Sequence, residues 1–214
     1  VSALNNYIHC SLKYFFKNLI LLPDVYTPFL VYGNAVHTAL EEYFNASKDA
    51  KMVLDRDMLI AYFKKAMARS VLFDGEYERY TERGVIALGM YHDVYHEIWS
   101  TNLATELYIK RRYPLNDGDE LTISGKLDKV EFLESEAGGN VRVIDYKTGK
   151  AYSEKKRKEQ KADLERQVVF YHLLLDTYKD GAYRVVETVL DFVEKTKKGT
   201  FEQKTFAVQD TDKK

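Results

Sequence analysis

The strongest constraint on the fold is a seven-residue run, Val141-Arg142-Val143-Ile144-Asp145-Tyr146-Lys147. A β-branched stretch ends in a carboxylate, and an ammonium follows two positions later. Such a run reads as a strand. Upstream, Ile123-Ser124-Gly125-Lys126-Leu127-Asp128-Lys129-Val130 reads as another, and Gly138-Gly139-Asn140 supplies a hairpin turn between them. Two carboxylates and a lysine on neighbouring strands suit metal-dependent phosphodiester hydrolysis. The acids hold a hard cation, and the lysine faces the charge that builds during attack. A lone Asp at a strand end most often caps a turn or pairs with a nearby lysine. The Gly-x-x-Asp strand, the hairpin and Asp-x-Lys together form a rarer pattern.

The rest of the chain divides into a helical part and a part dominated by strands. Ser2 is placed to cap a helix from Ala3 to about Leu19, with Leu4, Tyr7, Ile8, Leu12, Phe15, Phe16 and Leu19 on an apolar face. Pro23 and Pro28 mark a loop. Helices are predicted over 31–46 (Val36, Leu40, Tyr43 and Phe44 inward), 55–70 and 78–101, with a break around Gly75. Strands follow over Thr105–Ile109, Leu121–Phe132 and Val141–Tyr146, with a turn at Asn116–Asp119 and an end at Thr148-Gly149-Lys150. Residues 151–162 are polar, a solvated loop or the exposed start of a helix. A helix from about Asp163 to Tyr178 buries Leu164, Val168, Tyr171, Leu174 and Leu175, and Gly181 stops it. A hairpin of Val185–Val193 and Thr200–Val208 turns at Lys198-Gly199. This order predicts an α/β or α+β core with a helical N-terminal cap. The 214 residues are read as one domain, 1–101 mainly helical and 102–210 carrying the sheet and its helix.

A formal net charge of −1 rules out global basicity as a route to nucleic acid, so such a site must be local. Some of the 17 tyrosines can offer surfaces on which bases stack. The single cysteine, Cys10, excludes an intrachain disulfide. It is expected to be a small buried apolar residue, and it fits a reducing, cytoplasmic setting. No apolar run approaches membrane-spanning length. A start at Val1 rather than Met suggests a piece of a larger protein.

Gly125-Lys126-Leu127-Asp128, Ile144-Asp145-Tyr146-Lys147-Thr148-Gly149 and Gln167-Val168-Val169-Phe170-Tyr171 resemble successive motifs of RecB-type nucleases in the PD-(D/E)XK superfamily. Gly33-Asn34-Ala35-Val36-His37 is similar to that family's Gly-x-x-x-His motif. Ser2-Ala3-Leu4 through Tyr7, with Lys13-Tyr14-Phe15 after Cys10, is similar to its opening helix. The motifs stand in the family's order and cover most of the chain.

The resemblance implies an α/β, restriction-endonuclease-like fold, a mixed central β-sheet flanked by helices with a helical N-terminal region. It also implies a DNA nuclease, the nuclease module of an AddAB- or RecBCD-like helicase–nuclease in recombination or repair. The implied partners are single-stranded DNA ends and a helicase, in cis or as a separate subunit. The implied cofactor is Mg²⁺ or Mn²⁺, held by His37, Asp128, Asp145 and the backbone carbonyl of Tyr146, with Glu106 a further candidate. Asp128, Asp145, Lys147, Gln167 and Tyr171 are the implied catalytic set. A free lysine titrates near about 10.4, so charge stabilisation is a simpler role for Lys147 than proton abstraction. Gln167 and Tyr171, four apart, share a helical face.

Arg166, Lys155, Lys156 and Arg157 are candidate DNA-backbone contacts, as are Lys195, Lys197 and Lys198. Many relatives carry an iron–sulfur cluster on four cysteines; only Cys10 has a counterpart here, so no cluster is expected. His9, His92, His96 and His172 show no ligand pairing. The alternatives are a catalytically silent DNA-binding scaffold of the same fold and a nuclease acting on RNA.

Overall fold

The structure, a computed structural model, describes residues 1–23, 27–114, 118–149 and 157–207. Two short helices, α1 (Ser2–His9) and α2 (Ser11–Tyr14), lead into a π-helical turn over Phe15–Leu19. Three longer helices follow, α3 (Pro28–Ala50), α4 (Arg56–Ala68) and α5 (Asp74–Tyr95). Then come β1 (Leu103–Pro114), β2 (Glu120–Phe132), β3 (Gly139–Lys147), α6 (Arg157–Asp176), β4 (Tyr183–Phe192) and β5 (Glu202–Phe206). The five strands form one sheet in the order β1-β2-β3-β4-β5. All neighbours are antiparallel except β3 and β4, which are parallel. A parallel pair needs a crossover, and α6 provides it. The expected mixed sheet flanked by helices is therefore present.

Local chemistry explains the long helices. Pro28 opens α3, where its missing amide costs nothing. Asp55 caps α4 by accepting from the Met58 amide at 2.9 Å. Along α3, Tyr32, Val36, Leu40, Tyr43 and Phe44 repeat at helical spacing and are buried.

Both faces of β3 are covered. Val141 and Val143 join Val130 and Phe132 beneath Tyr171, Leu174 and Leu175 of α6. Ile144 and Tyr146 pack the opposite way with Val189, against Val36, Leu40 and Phe44 of α3 and Tyr91 of α5. This helical side also buries charge. Lys129 lies 3.0 Å from Glu131 and 4.0 Å from the centre of the Phe44 ring. Asp191 accepts from the Tyr91 hydroxyl at 2.6 Å. Burial pushes the Lys129 pKa down and that of Asp191 up.

The opening segment departs from expectation. The single helix is broken at Cys10, whose backbone is extended, and Val1 rather than Ser2 occupies the cap position. Leu4, Tyr7, Ile8, Leu12, Phe15, Phe16 and Leu19 are all exposed, and so is Cys10, against the expected burial. The apolar spacing identified a face, but spacing alone does not supply the surface that covers it.

Gly75 also lies elsewhere than expected, in the first turn of α5. The α6 helix begins at Arg157, so from there the polar stretch is the start of a helix, the second of its two readings. β3 starts at Gly139, so Gly139 and Asn140 belong to the strand and the turn precedes them. Asn116, Asp117, Lys150 and Val208 lie outside the described residues.

The α4–α5 contact generates a test. A Cβ added at Gly84 would stand 2.0 Å from Phe63 Cζ, whereas one added at Gly75 meets nothing within 4 Å. Gly84→Ala should cost about 1–3 kcal/mol through overpacking. Gly75→Ala should stabilise by about 0.5 kcal/mol through the unfolded chain. Urea unfolding midpoints measure both, and equal midpoints would contradict this packing.

Candidate active site

β2 and β3 pair from Lys129↔Ile144 to Phe132↔Val141. Asp128 and Asp145 stand one position beyond, where that ladder ends. The free Tyr146 amide donates instead to Asp128 Oδ2 at 2.9 Å, which pins the carboxylate at the mouth of the split. The same oxygen lies 3.3 Å from His37 Nδ1, carried in from α3. Burial lowers the His37 pKa, but the hydrogen bond and charge of Asp128 and the charge of Asp145 outweigh it, so the net shift is upward.

Glu106 falls between the pairs Thr105↔Lys129 and Leu107↔Leu127, across from Asp128. Its φ is +49°, in the left-handed region that a non-glycine residue seldom adopts. Such a conformation costs on the order of 1 kcal/mol and persists only where neighbours enforce it. Lys126 makes an ion pair with the Glu106 carboxylate. His37, Glu106 and Asp128 each offer a donor atom, and all three atoms lie within 4.8 Å of one another.

Asp145 has different company. It is 3% exposed. Its Oδ1 accepts from the Tyr171 hydroxyl at 2.6 Å and from Gln167 Nε2 at 3.0 Å. Its Oδ2 lies 2.5 Å from Lys147 Nζ. The amide of Gln167 closes the circuit. Its oxygen accepts from Lys147 at 3.2 Å, and its nitrogen also donates to the Tyr171 hydroxyl at 2.6 Å. Burial raises the Asp145 pKa, with Lys147 pulling it back down. Burial and the Asp145 charge push Tyr171 well above its ordinary value. The phenol thus stays protonated and donates.

The geometry therefore divides the implied metal and catalytic residues into two adjoining groups. His37, Glu106 and Asp128 form one; Asp145, Lys147, Gln167 and Tyr171 form the other. Two carboxylates and an imidazole gathered in this way are a donor set that suits a divalent cation.

The Tyr146 side chain turns to the helical side, parallel to the Phe44 ring at 6.4 Å. The Arg166 guanidinium is engaged by Asn5 at 2.7 Å and by Asp163, so it ties the opening segment to α6. Asp163 also receives His9 at 2.8 Å. Arg157 opens α6; Lys155 and Lys156 lie outside the described residues. Lys195, Lys197 and Lys198 belong to the β4–β5 connection.

Lys126 escaped the reading of the sequence. Its signal was available, because positions two apart on a strand share a face and Asp128 is two residues on.

A family model described as "PD-(D/E)XK nuclease superfamily" matches residues 1–214. Curated proteins give no sequence match. Among solved structures, a putative exonuclease from Eubacterium rectale superposes with a TM-score of 0.54 at 13% identity. The match covers 99% of this chain and 73% of that one. At that identity the likeness is one of fold.

The donor set generates a binding prediction. Mn²⁺ at about a hundred times its Kd should stabilise the protein by about 2.7 kcal/mol. Differential scanning fluorimetry should show the corresponding rise in Tm. Asp128→Ala should abolish the rise and Glu106→Ala should reduce it. The same rise in all three proteins would place the cation elsewhere.

Proposed function

The chain belongs to the PD-(D/E)XK nuclease superfamily, and we propose that it is a divalent-metal-dependent deoxyribonuclease of the RecB type. The proposal extends to its setting, the nuclease module of a helicase–nuclease in recombination or repair that receives single-stranded ends. The observation that carries the catalytic reading is the Lys147 ammonium held between Asp145 and Gln167, beside a cation-competent group of His37, Glu106 and Asp128.

The residues divide the work. His37, Glu106 and Asp128 would hold Mg²⁺ or Mn²⁺, with Asp145 and the Tyr146 carbonyl as the further ligands that the family resemblance implies. When bound, such a cation supplies positive charge to phosphate oxygens and lowers the pKa of its water. Lys147 is fixed by two partners, so its charge is pre-oriented toward a phosphoryl group and needs little reorganisation as negative charge develops. Gln167 sets the position of Lys147, and Tyr171 holds Asp145 in one rotamer through its donated proton.

The reaction is in-line attack by water on phosphorus. The new P–O bond forms as the bond to the 3′ oxygen breaks. The water loses a proton and the leaving oxygen gains one. The products are a 5′-phosphate and a 3′-hydroxyl.

End-labelled single- and double-stranded DNA with Mg²⁺ tests this reading. Wild type should cleave. Asp145→Ala and Lys147→Ala should each lower the rate by at least about 10²-fold, the scale of losing one preorganised electrostatic group. Their circular dichroism should stay that of the wild type. Cleavage by Lys147→Ala at the wild-type rate would contradict the assignment. Faster cleavage of matched RNA than of DNA would move the substrate class.

A further inference from the structure

Beside His37 the surface opens into a groove of about 440 Å³, with Phe29, Gly33, Asn34 and Thr148 also in its lining. One wall is the start of α3. Positions 29, 33 and 37 are four apart and so line up along one helical face. Eight residues of α-helix rise about 12 Å, which sets the distance along the wall from Phe29 to His37. At about 3.4 Å per stacked nucleotide, that span is about two to three nucleotides once the strand is partly extended.

Phe29 is 42% exposed, so part of its aromatic surface is open to a stacking partner. Yet it is well supported. The Tyr32 ring lies 6.4 Å from it, centre to centre, and the Arg83 guanidinium is 5.8 Å from its centre. Arg83 is anchored by Glu194 at 2.6 Å, and Glu194 also accepts from the Tyr32 hydroxyl at 2.8 Å. The backing is thus a fixed platform. Gly33 lets this wall come close to Thr148, because a Cβ there would stand 3.1 Å from Thr148 Oγ1.

We propose that this groove is a nucleotide subsite, in which an unpaired base stacks on Phe29 while its strand runs along α3 to the His37–Asp128 end. It rests on the nuclease reading above and adds a recognition element to it. Stacking on an aromatic face tolerates any base, since every base has a π-face. It requires the base to be free of its duplex neighbours, so the subsite favours single strands.

The test is equilibrium binding of a fluorescein-labelled oligothymidylate in EDTA, where nothing is cut, read by anisotropy for wild type, Phe29→Ala and Phe29→Trp. Phe29→Ala should raise Kd about tenfold, within the range for loss of one stacked base. Phe29→Trp should keep the wild-type Kd. Its indole emission should also fall on binding by more than that of Trp99 in the wild type. An unchanged Kd in Phe29→Ala overturns the subsite. So does a Phe29→Trp protein whose added emission ignores the oligonucleotide, even if Phe29→Ala fails to fold. Wild type that cleaves DNA while Phe29→Ala binds normally sinks the subsite alone. Wild type that neither binds nor cleaves sinks the nuclease reading beneath it.

Discussion

A carboxylate buried where β3 meets α6 sets the terms for much of this molecule. Removing an ionised Asp from water costs several kcal/mol unless partners replace the lost hydration. Asp145 receives a phenol, an amide and an ammonium, each from a residue that the core also positions. Tyr171 and Gln167 reach it only because Val168, Leu174 and Leu175 seat α6 on the sheet in a single rotational setting. A buried ion pair of this kind is weak evidence for stability, and replacement by apolar residues is often neutral or better. The proposed chemistry gives the pair a use that stability alone does not.

The same economy governs the neighbouring group. Ending the β2–β3 ladder at Lys129 and Ile144 frees the Tyr146 amide, and that amide fixes Asp128. The positive φ of Glu106 brings a second carboxylate opposite the first, against an ordinary preference for extended backbone. Like charges gathered this way repel. In the structure His37 and Lys126 offset them, and a divalent cation would do so more fully. The sheet thus works as a scaffold with two insulated faces. One holds the α6 cluster, and the other buries Lys129, Glu131 and Asp191 against the helical layer.

What could be read from residues alone follows from how local each cause is. The β-branched run into Asp145 and the apolar repeat of α3 depend on short-range geometry, and the mixed sheet was implied by the motifs in their order along the chain. Those expectations match the structure. Asp145 and Lys147 on one strand, and Gln167 and Tyr171 one helical turn apart, were legible for the same reason. The left-handed backbone of Glu106 was not, since nothing in Thr105-Glu106-Leu107 calls for it. Nor was the exposure of Leu4 through Leu19, because periodicity marks an apolar face without saying what lies against it. Cys10 was misplaced with that segment. Arg166 looked like a phosphate contact on charge alone, while its position three residues from Asp163 and its reach to Asn5 gave it other partners.

The two groups are proposed to form one reaction centre around a divalent cation. Anomalous scattering from a crystal grown with Mn²⁺ addresses it directly. One anomalous peak is expected, bonded to His37, Glu106, Asp128 and Asp145 at about 2.0–2.3 Å, with Lys126 released from Glu106 and Lys147 still held by Gln167. A peak remote from these residues, or none at saturating Mn²⁺ with the Lys126–Glu106 pair intact, would contradict it.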